Sequence, residues 1–155
     1  RTPTASAGDP VRGLAITSTS TSTLRVYYNS IYLNASSSGT NFGTSGIYHT
    51  ASGTATTASL DMRNNIVVNE STPAGTGITA AFRRSSAALT NFASTSNRNM
   101  LYAGTPSATR LIMYDGTNSY QTMAAYQTAV SAREVNSFFQ PTGAVLSLCV
   151  ALVQA

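Results

Sequence analysis

Apolar residues along this chain fall in alternation or in short unbroken runs, not at the spacing of an amphipathic helix. Leu24-Arg25-Val26-Tyr27-Tyr28 and Leu60-Asp61-Met62-Arg63 alternate, while Ile31-Tyr32-Leu33, Ile66-Val67-Val68 and Leu111-Ile112-Met113-Tyr114 are compact apolar runs. Each is bounded by Asn, Gly, Ser or Thr, the residues that form turns, so each is read as a strand. The TSTSTST run at 17–23 is loop or strand, with Thr favouring strand. One segment, 119–133, breaks the rule. Its Met123, Tyr126 and Val130 fit about two turns of helix.

The strands repeat. Gly13-Leu14-Ala15-Ile16 is similar to Gly46-Ile47-Tyr48-His49 and to Gly77-Ile78-Thr79-Ala80, at steps of about 33 and 31 residues. Tyr28-Asn29-Ser30-Ile31-Tyr32-Leu33 aligns with Arg63-Asn64-Asn65-Ile66-Val67-Val68 and, more loosely, with Arg98-Asn99-Met100-Leu101-Tyr102. Two anchors keeping pace mark a stacked repeat. Helical repeats need amphipathic helices, which these units lack. Short strands joined by polar turns instead describe a parallel β-helix of about four coils, each about 4.8 Å above the last. Two inward ladders are expected, one of Leu14, Ile47 and Ile78 and one of Ile31, Ile66 and Met100. Asn29, Asn64 and Asn97 or Asn99 are expected at the corners, where Asn tolerates the left-handed conformation and stacked amides bond along the stack. A ligand-binding role for these asparagines is the alternative. Arg83 and Arg84, after Phe82 in a polar stretch, are expected in solvent.

The stretches VYYNSIYLNASSSGTNFGTSGIYHTASG, LDMRNNIVVNESTPAGTG and AFRRSSAALTNFASTSNRNMLYAGTP carry a resemblance to large secreted repeat proteins of Bacteroidota-type bacteria. These have the right-handed parallel β-helix of the pectin-lyase-like superfamily. The resemblance spans roughly residues 11–139 and is specific for the repeat type, not for an activity. It implies an all-β fold, a cell-surface location and a short helical excursion from the coil near 119–133.

Composition narrows the function classes. Charged residues are 9% of the 155, hydrophobic residues 42%, and the net charge is +4 from nine basic and five acidic side chains. All the basic residues are Arg, and they are scattered, which argues against a nucleic-acid surface. Ser and Thr make up roughly a quarter of the chain, in the place of charge. With one His and one Cys, no metal cluster and no cofactor is expected. The chain opens on Arg1 without a signal peptide, so it is read as processed or as part of a longer chain. The apolar run at 143–153 is too short to cross a bilayer. The expected division is a β-helix over 1–142 and a final apolar strand at 143–155. That strand, with Val145, Leu146, Leu148, Val150 and Leu152, serves as a last coil or a joint between subunits. Cys149 within it is expected to be buried.

Candidate chemistry is sparse. Asp61 and Arg63 share one face of a strand, and with Glu70 they form the best acid–base group available; a surface ion pair is the competing reading. His49 has no acidic partner in sequence and reads as structural or exposed. Asp115-Gly116-Thr117-Asn118 has oxygen ligands for calcium but no further carboxylates, so a β-turn is expected there. Asn34 and Asn69 each open a glycosylation triplet at equivalent places of the repeat, expected unmodified. Tyr27, Tyr32 and Tyr48 have faces that stack on sugars, or pack as a ladder. The reading is therefore a non-catalytic extracellular structural protein that associates with itself or with further coils. The alternative is a carbohydrate-binding or polysaccharide lyase or hydrolase module.

Overall fold

The computed structural model describes residues 7–140. The boundary drawn at 142, Cys149 and the joint residues Val145, Leu146, Leu148, Val150 and Leu152 lie outside the described residues.

The elements run β1 (Ala7–Ile16), β2 (Thr23–Tyr27), β3 (Ser30–Leu33), β4 (Phe42–His49), β5 (Ser59–Arg63), β6 (Ile66–Asn69), β7 (Thr79–Arg84), β8 (Met100–Tyr102), β9 (Arg110–Tyr114), β10 (Ser119–Tyr120) and α1 (Met123–Ala129). Among the described residues the chain is all-β apart from that one short helix. Its strands form three sheets, ordered β1-β4-β7-β9-β10, β2-β5 and β3-β6-β8. From β1 to β7 successive strands join the three sheets in rotation; between β7 and β8 the β2-β5 sheet is continued only by an isolated bridge of Leu60 with Phe92. Every pairing between these strands is parallel except the last, β10 against β9, and three isolated bridges, Thr21–Thr57, Phe42–Ala74 and Ser107–Arg110, are antiparallel.

The register corrects both expected ladders. Leu14 pairs with Ile47, but Ile47 pairs with Phe82 and Phe82 with Met113. Ile78 precedes β7 and is not in this row. The Gly46 level is matched by Ala81, because Ser45 pairs with Ala80. A Cβ at Gly46 would run into Val67 Cγ1 and the Ala81 carbonyl, so this glycine answers close packing. Gly77, which suggested the wrong match, sits against the Phe42 backbone for a similar reason.

The second ladder is shifted by one residue. Ile31 pairs with Val67 and Val67 with Leu101, whereas Ile66 lies between Ser30 and Met100. A one-residue slip in a strand moves a side chain to the opposite face. Val67 and Leu101 are therefore in the main core, and Ile66 and Met100 belong to a smaller outer cluster with Val68, Tyr102 and Phe139. Full burial of each such core side chain contributes about 1.5–3 kcal/mol.

Arg84 is the sharpest departure. It is only 1% exposed, in the row Ile16–His49–Arg84. Alternation explains this: Arg84 is two residues beyond Phe82, so both face inward. Burial is the main cause that lowers its pKa, to about 10. Arg83 takes the other face of the strand but is not in solvent either: its side chain is only 11% exposed, donates to the Ile78 carbonyl (2.8 Å), and lies 3.8 Å from Asp9 Oδ2 and 5.0 Å from the Tyr114 ring centroid.

After β9 the chain turns at Asp115, whose Oδ1 accepts from the backbone N–H of Thr117 (3.0 Å) and Asn118 (2.6 Å). The helix then starts at Thr122, whose hydroxyl accepts from the Ala125 N–H, and buries Tyr126. Val130 follows the helix at its C-cap and is also buried.

Candidate functional site

Three asparagines stack between β2 and β3 and their equivalents. Asn29 Nδ2 donates to Asn65 Oδ1 (3.0 Å), and Asn65 Nδ2 donates to Asn99 Oδ1 (2.8 Å). The backbone N–H groups of Asn29 and Asn65 donate to the same two oxygens. At the next level the acceptor of the Asn99 N–H is Ser137 Oγ, 2.8 Å away. Serine is too short to take the Asn99 amide as well. Glu134 does so instead, accepting from Asn99 Nδ2 at both oxygens, 3.0 Å each, and from the Ser137 hydroxyl. Burial drives the Glu134 carboxyl up to about 7, with the Asp61 charge adding to the rise; the Ser137 and Asn99 hydrogen bonds oppose it.

The ladder is Asn29–Asn65–Asn99, so Asn64 and Asn97 are not in it. Asn64 sits one residue earlier, at a corner shared with Tyr28 and Arg98. These three have φ of 54°, 56° and 58°. Asn97 pairs with Arg63, and its Oδ1 accepts from the backbone of Arg98 and Asn136.

Beside this corner an open cleft of about 410 Å³ is lined by Tyr27, Tyr28, Arg63, Asn64, Thr95, Asn97 and Arg98. One carboxylate, Asp61, does not line the cleft but binds two residues that do, Tyr27 and Arg63. Asp61 accepts from the Tyr27 hydroxyl (2.6 Å) and from Arg63 Nε (2.9 Å) and Nη2 (2.5 Å). Desolvation pushes the Asp61 pKa upward, but hydrogen bonds from Arg63, Tyr27 and Thr95 outweigh it and hold the carboxyl below its usual value. Asp61 is thus an ionised, saturated acceptor, unsuited to donate a proton near neutral pH.

The structure does not join Glu70 to this pair. Glu70 follows β6 and accepts from the Tyr32 hydroxyl, 3.0 Å away. His49 is fully buried, with Nε2 2.8 Å from the Ala58 carbonyl oxygen, and burial is the main cause that lowers its pKa to about 4. Asp115 uses its oxygens on its own turn and the Asn118 amide. Among the described residues no three His, Cys, Asp or Glu gather as metal ligands, and no helix is long and apolar enough to cross a membrane. The two glycosylation triplets are not equivalent: Asn69 pairs with Leu33 and is buried, donating to the Ala80 carbonyl, whereas Asn34 is exposed. Two of the three candidate tyrosine faces are occupied. The Arg12 guanidinium lies 3.6 Å from the Tyr48 ring centroid, and that of Arg63 lies 5.3 Å from Tyr27. Tyr32 is open, at 61% exposed.

Sequence reasoning missed Asn65, Glu134, Tyr28 and Arg98. The separations Asn29–Asn65 and Asn65–Asn99, 36 and 34 residues, held the signal for the first. Nothing in the repeat marks Glu134. No protein-family model matches the chain, and neither does any curated protein or solved structure.

Proposed function

We propose that this chain is a non-catalytic structural protein of the cell exterior. In this reading it is a right-handed parallel β-helix of the pectin-lyase-like kind. It associates end to end with copies of itself, or with further coils, in a surface scaffold, adhesin or filament. The observation that carries the reading is the asparagine ladder, in which each amide ties one level to the next. The acid–base candidates point the same way, since Asp61 is saturated and Glu70 is held apart by Tyr32.

The first level supports association. Leu14, Leu24 and Ile31 are only partly buried, whereas their partners Ile47, Leu60 and Val67 are fully buried. Asn29 is exposed and donates along the ladder, which leaves its Oδ1 as the acceptor that another level would use. Strand edges of this kind pair with another chain unless covered.

Light scattering across a concentration series tests this. Mass is expected to grow with concentration for the natural sequence, and Leu24→Arg is expected to stop the growth while the circular dichroism stays unchanged. A monomer at every concentration would overturn self-association. Release of new chain ends from an acidic polysaccharide by the purified protein would overturn the non-catalytic reading.

A further inference from the structure

Glu134 breaks two rules at once. It is a carboxylate with no exposed surface, and its backbone is left-handed, at φ 58°, a conformation that favours Gly or Asn. Strain of this kind persists where the surroundings over-determine it, and it clusters at reactive sites. One oxygen of Glu134 makes two contacts that matter. Oε2 accepts from the Ser137 hydroxyl and from the Asn99 side-chain nitrogen, the latter at 3.0 Å. A single base thus touches a hydroxyl nucleophile and the nitrogen of a neighbouring amide.

The oxygen end of that amide is held as well. Asn99 Oδ1 accepts from the Asn65 backbone N–H (3.0 Å) and from Asn65 Nδ2 (2.8 Å), two donors placed as in an oxyanion hole. Ser137 Oγ accepts from the Asn99 backbone N–H at 2.8 Å, so nucleophile and target amide sit in one hydrogen-bonded ring. Asn65, Asn99, Glu134 and Ser137 are all buried, which keeps competing water out. Burial also brings the Glu134 carboxyl to about 7, near the value best suited to take up and return a proton at neutral pH. Asp61 and the Tyr126 phenol are the titratable groups that interact with it through space; Asp61 adds to the rise, and burial holds the phenol neutral.

We propose that Ser137 and Asn99 join in an ester that closes the end of the ladder covalently. The Ser137 hydroxyl proton passes to Glu134 Oε2 as Oγ bonds to Asn99 Cγ, and the carbonyl electrons move onto Oδ1 between its two Asn65 donors. When they return, the Cγ–Nδ2 bond breaks, and Glu134 gives its proton to the nitrogen, which leaves as ammonia. Hydroxyl plus amide gives ester plus ammonia, with no further reactant. Attack requires the serine oxygen to move from the N–H of Asn99 to its Cγ. The hydrogen-bonded arrangement is the state of the freshly made chain, and the bond forms once, without turnover. This goes beyond the scaffold reading and stands or falls separately from it, since a monomer can carry the ester.

The intact mass of the folded natural chain, incubated above the carboxyl pKa of about 7, is the test. The chain is expected to become lighter by one ammonia. Trypsin cuts after Arg98, Arg110 and Arg133, so peptides 99–110 and 134–155 are expected as one linked species that hydroxylamine separates. Ser137→Ala is expected to keep its full mass. Glu134→Gln is expected to lose ammonia at least about a hundredfold more slowly, with circular dichroism checking that each variant is folded. The linked peptides of the natural chain decide the bond even where a variant fails to fold. Full mass in the natural chain would overturn the ester. So would an ammonia loss that persists in Ser137→Ala, which marks a succinimide instead. An unslowed reaction in folded Glu134→Gln would overturn the role of Glu134 as the base.

Discussion

The side-chain amide of Asn99 donates to both carboxylate oxygens of Glu134, at 3.0 Å each, where the amides of Asn29 and Asn65 donate to the next asparagine. Glu134 thus ends the ladder, and the group that ends it is ionisable and fully buried.

Stability should therefore depend on the protonation of Glu134. Its pKa is raised from 4.5 to about 7 on folding. Between those values the folded state holds a proton that the unfolded state has lost, so the contribution of Glu134 to stability falls as pH rises from 4.5 to 7. The effect is of the order of 1–3 kcal/mol. Glu134→Gln, neutral at every pH, is expected to remove this contribution, so that stability rises between pH 4.5 and 6.5 through His49 alone, and to be at least as stable as the natural chain at pH about 8. Urea unfolding across the pH range measures it; an unchanged slope in the variant would contradict the assignment.

His49 should act in the opposite direction. Burial lowers its pKa from 6.5 to about 4, so the unfolded chain binds the proton first as pH falls. Its contribution is complete above 6.5 and is lost as pH drops towards 4. The two groups offset each other between 4.5 and 6.5, so the natural chain is expected to show little slope there. His49→Gln is expected to expose the falling slope of Glu134 in that window, read from the same urea series.

Neighbouring asparagines should respond very differently to substitution. Asn65 is buried and donates to the Val26 carbonyl and Asn99 Oδ1, both at 2.8 Å, while accepting from Asn29. Asn65→Ala is expected to cost about 2–4 kcal/mol, since it leaves several buried groups unpaired. Asn64 occupies only the left-handed corner, and Asn64→Gly is expected to be within about 0.5 kcal/mol of neutral. Chemical denaturation of the two variants distinguishes ladder from corner.

The register makes a similar contrast in the core. Val67 is fully buried between Ile31 and Leu101, and Ile66 is half-buried in the outer cluster. Val67→Asp is expected to abolish folding, because an unpaired charge would enter the core. Ile66→Asp should give a folded protein with a lowered melting temperature. The reverse order would restore the alignment that the sequence alone suggested.

That alignment shows where the repeat was legible and where it was not. Strand positions were readable from apolar runs between turn residues, and so was the corner before Ile31. The pairing was not, because Asn64-Asn65 offers two ways to match Asn29 and only one places Val67 inside. A slip of one is nearly invisible in a run such as Ile66-Val67-Val68, where both faces are apolar. Gly77 misled for a related reason: it is a glycine because of the Phe42 backbone, not because it matches Gly46. Arg84 and Glu134 were illegible because charge predicts solvent, and each is overruled by position. Arg84 follows the parity of Phe82, and Glu134 supplies the acceptor that Ser137 is too short to offer.

A crystal structure of the protein tests the central claim most directly. The account predicts a right-handed path in which Asn29, Asn65 and Asn99 lie in one line and Ile31, Val67 and Leu101 in another. A left-handed path, antiparallel pairing of β3 with β6, or asparagine side chains turned to solvent would contradict it.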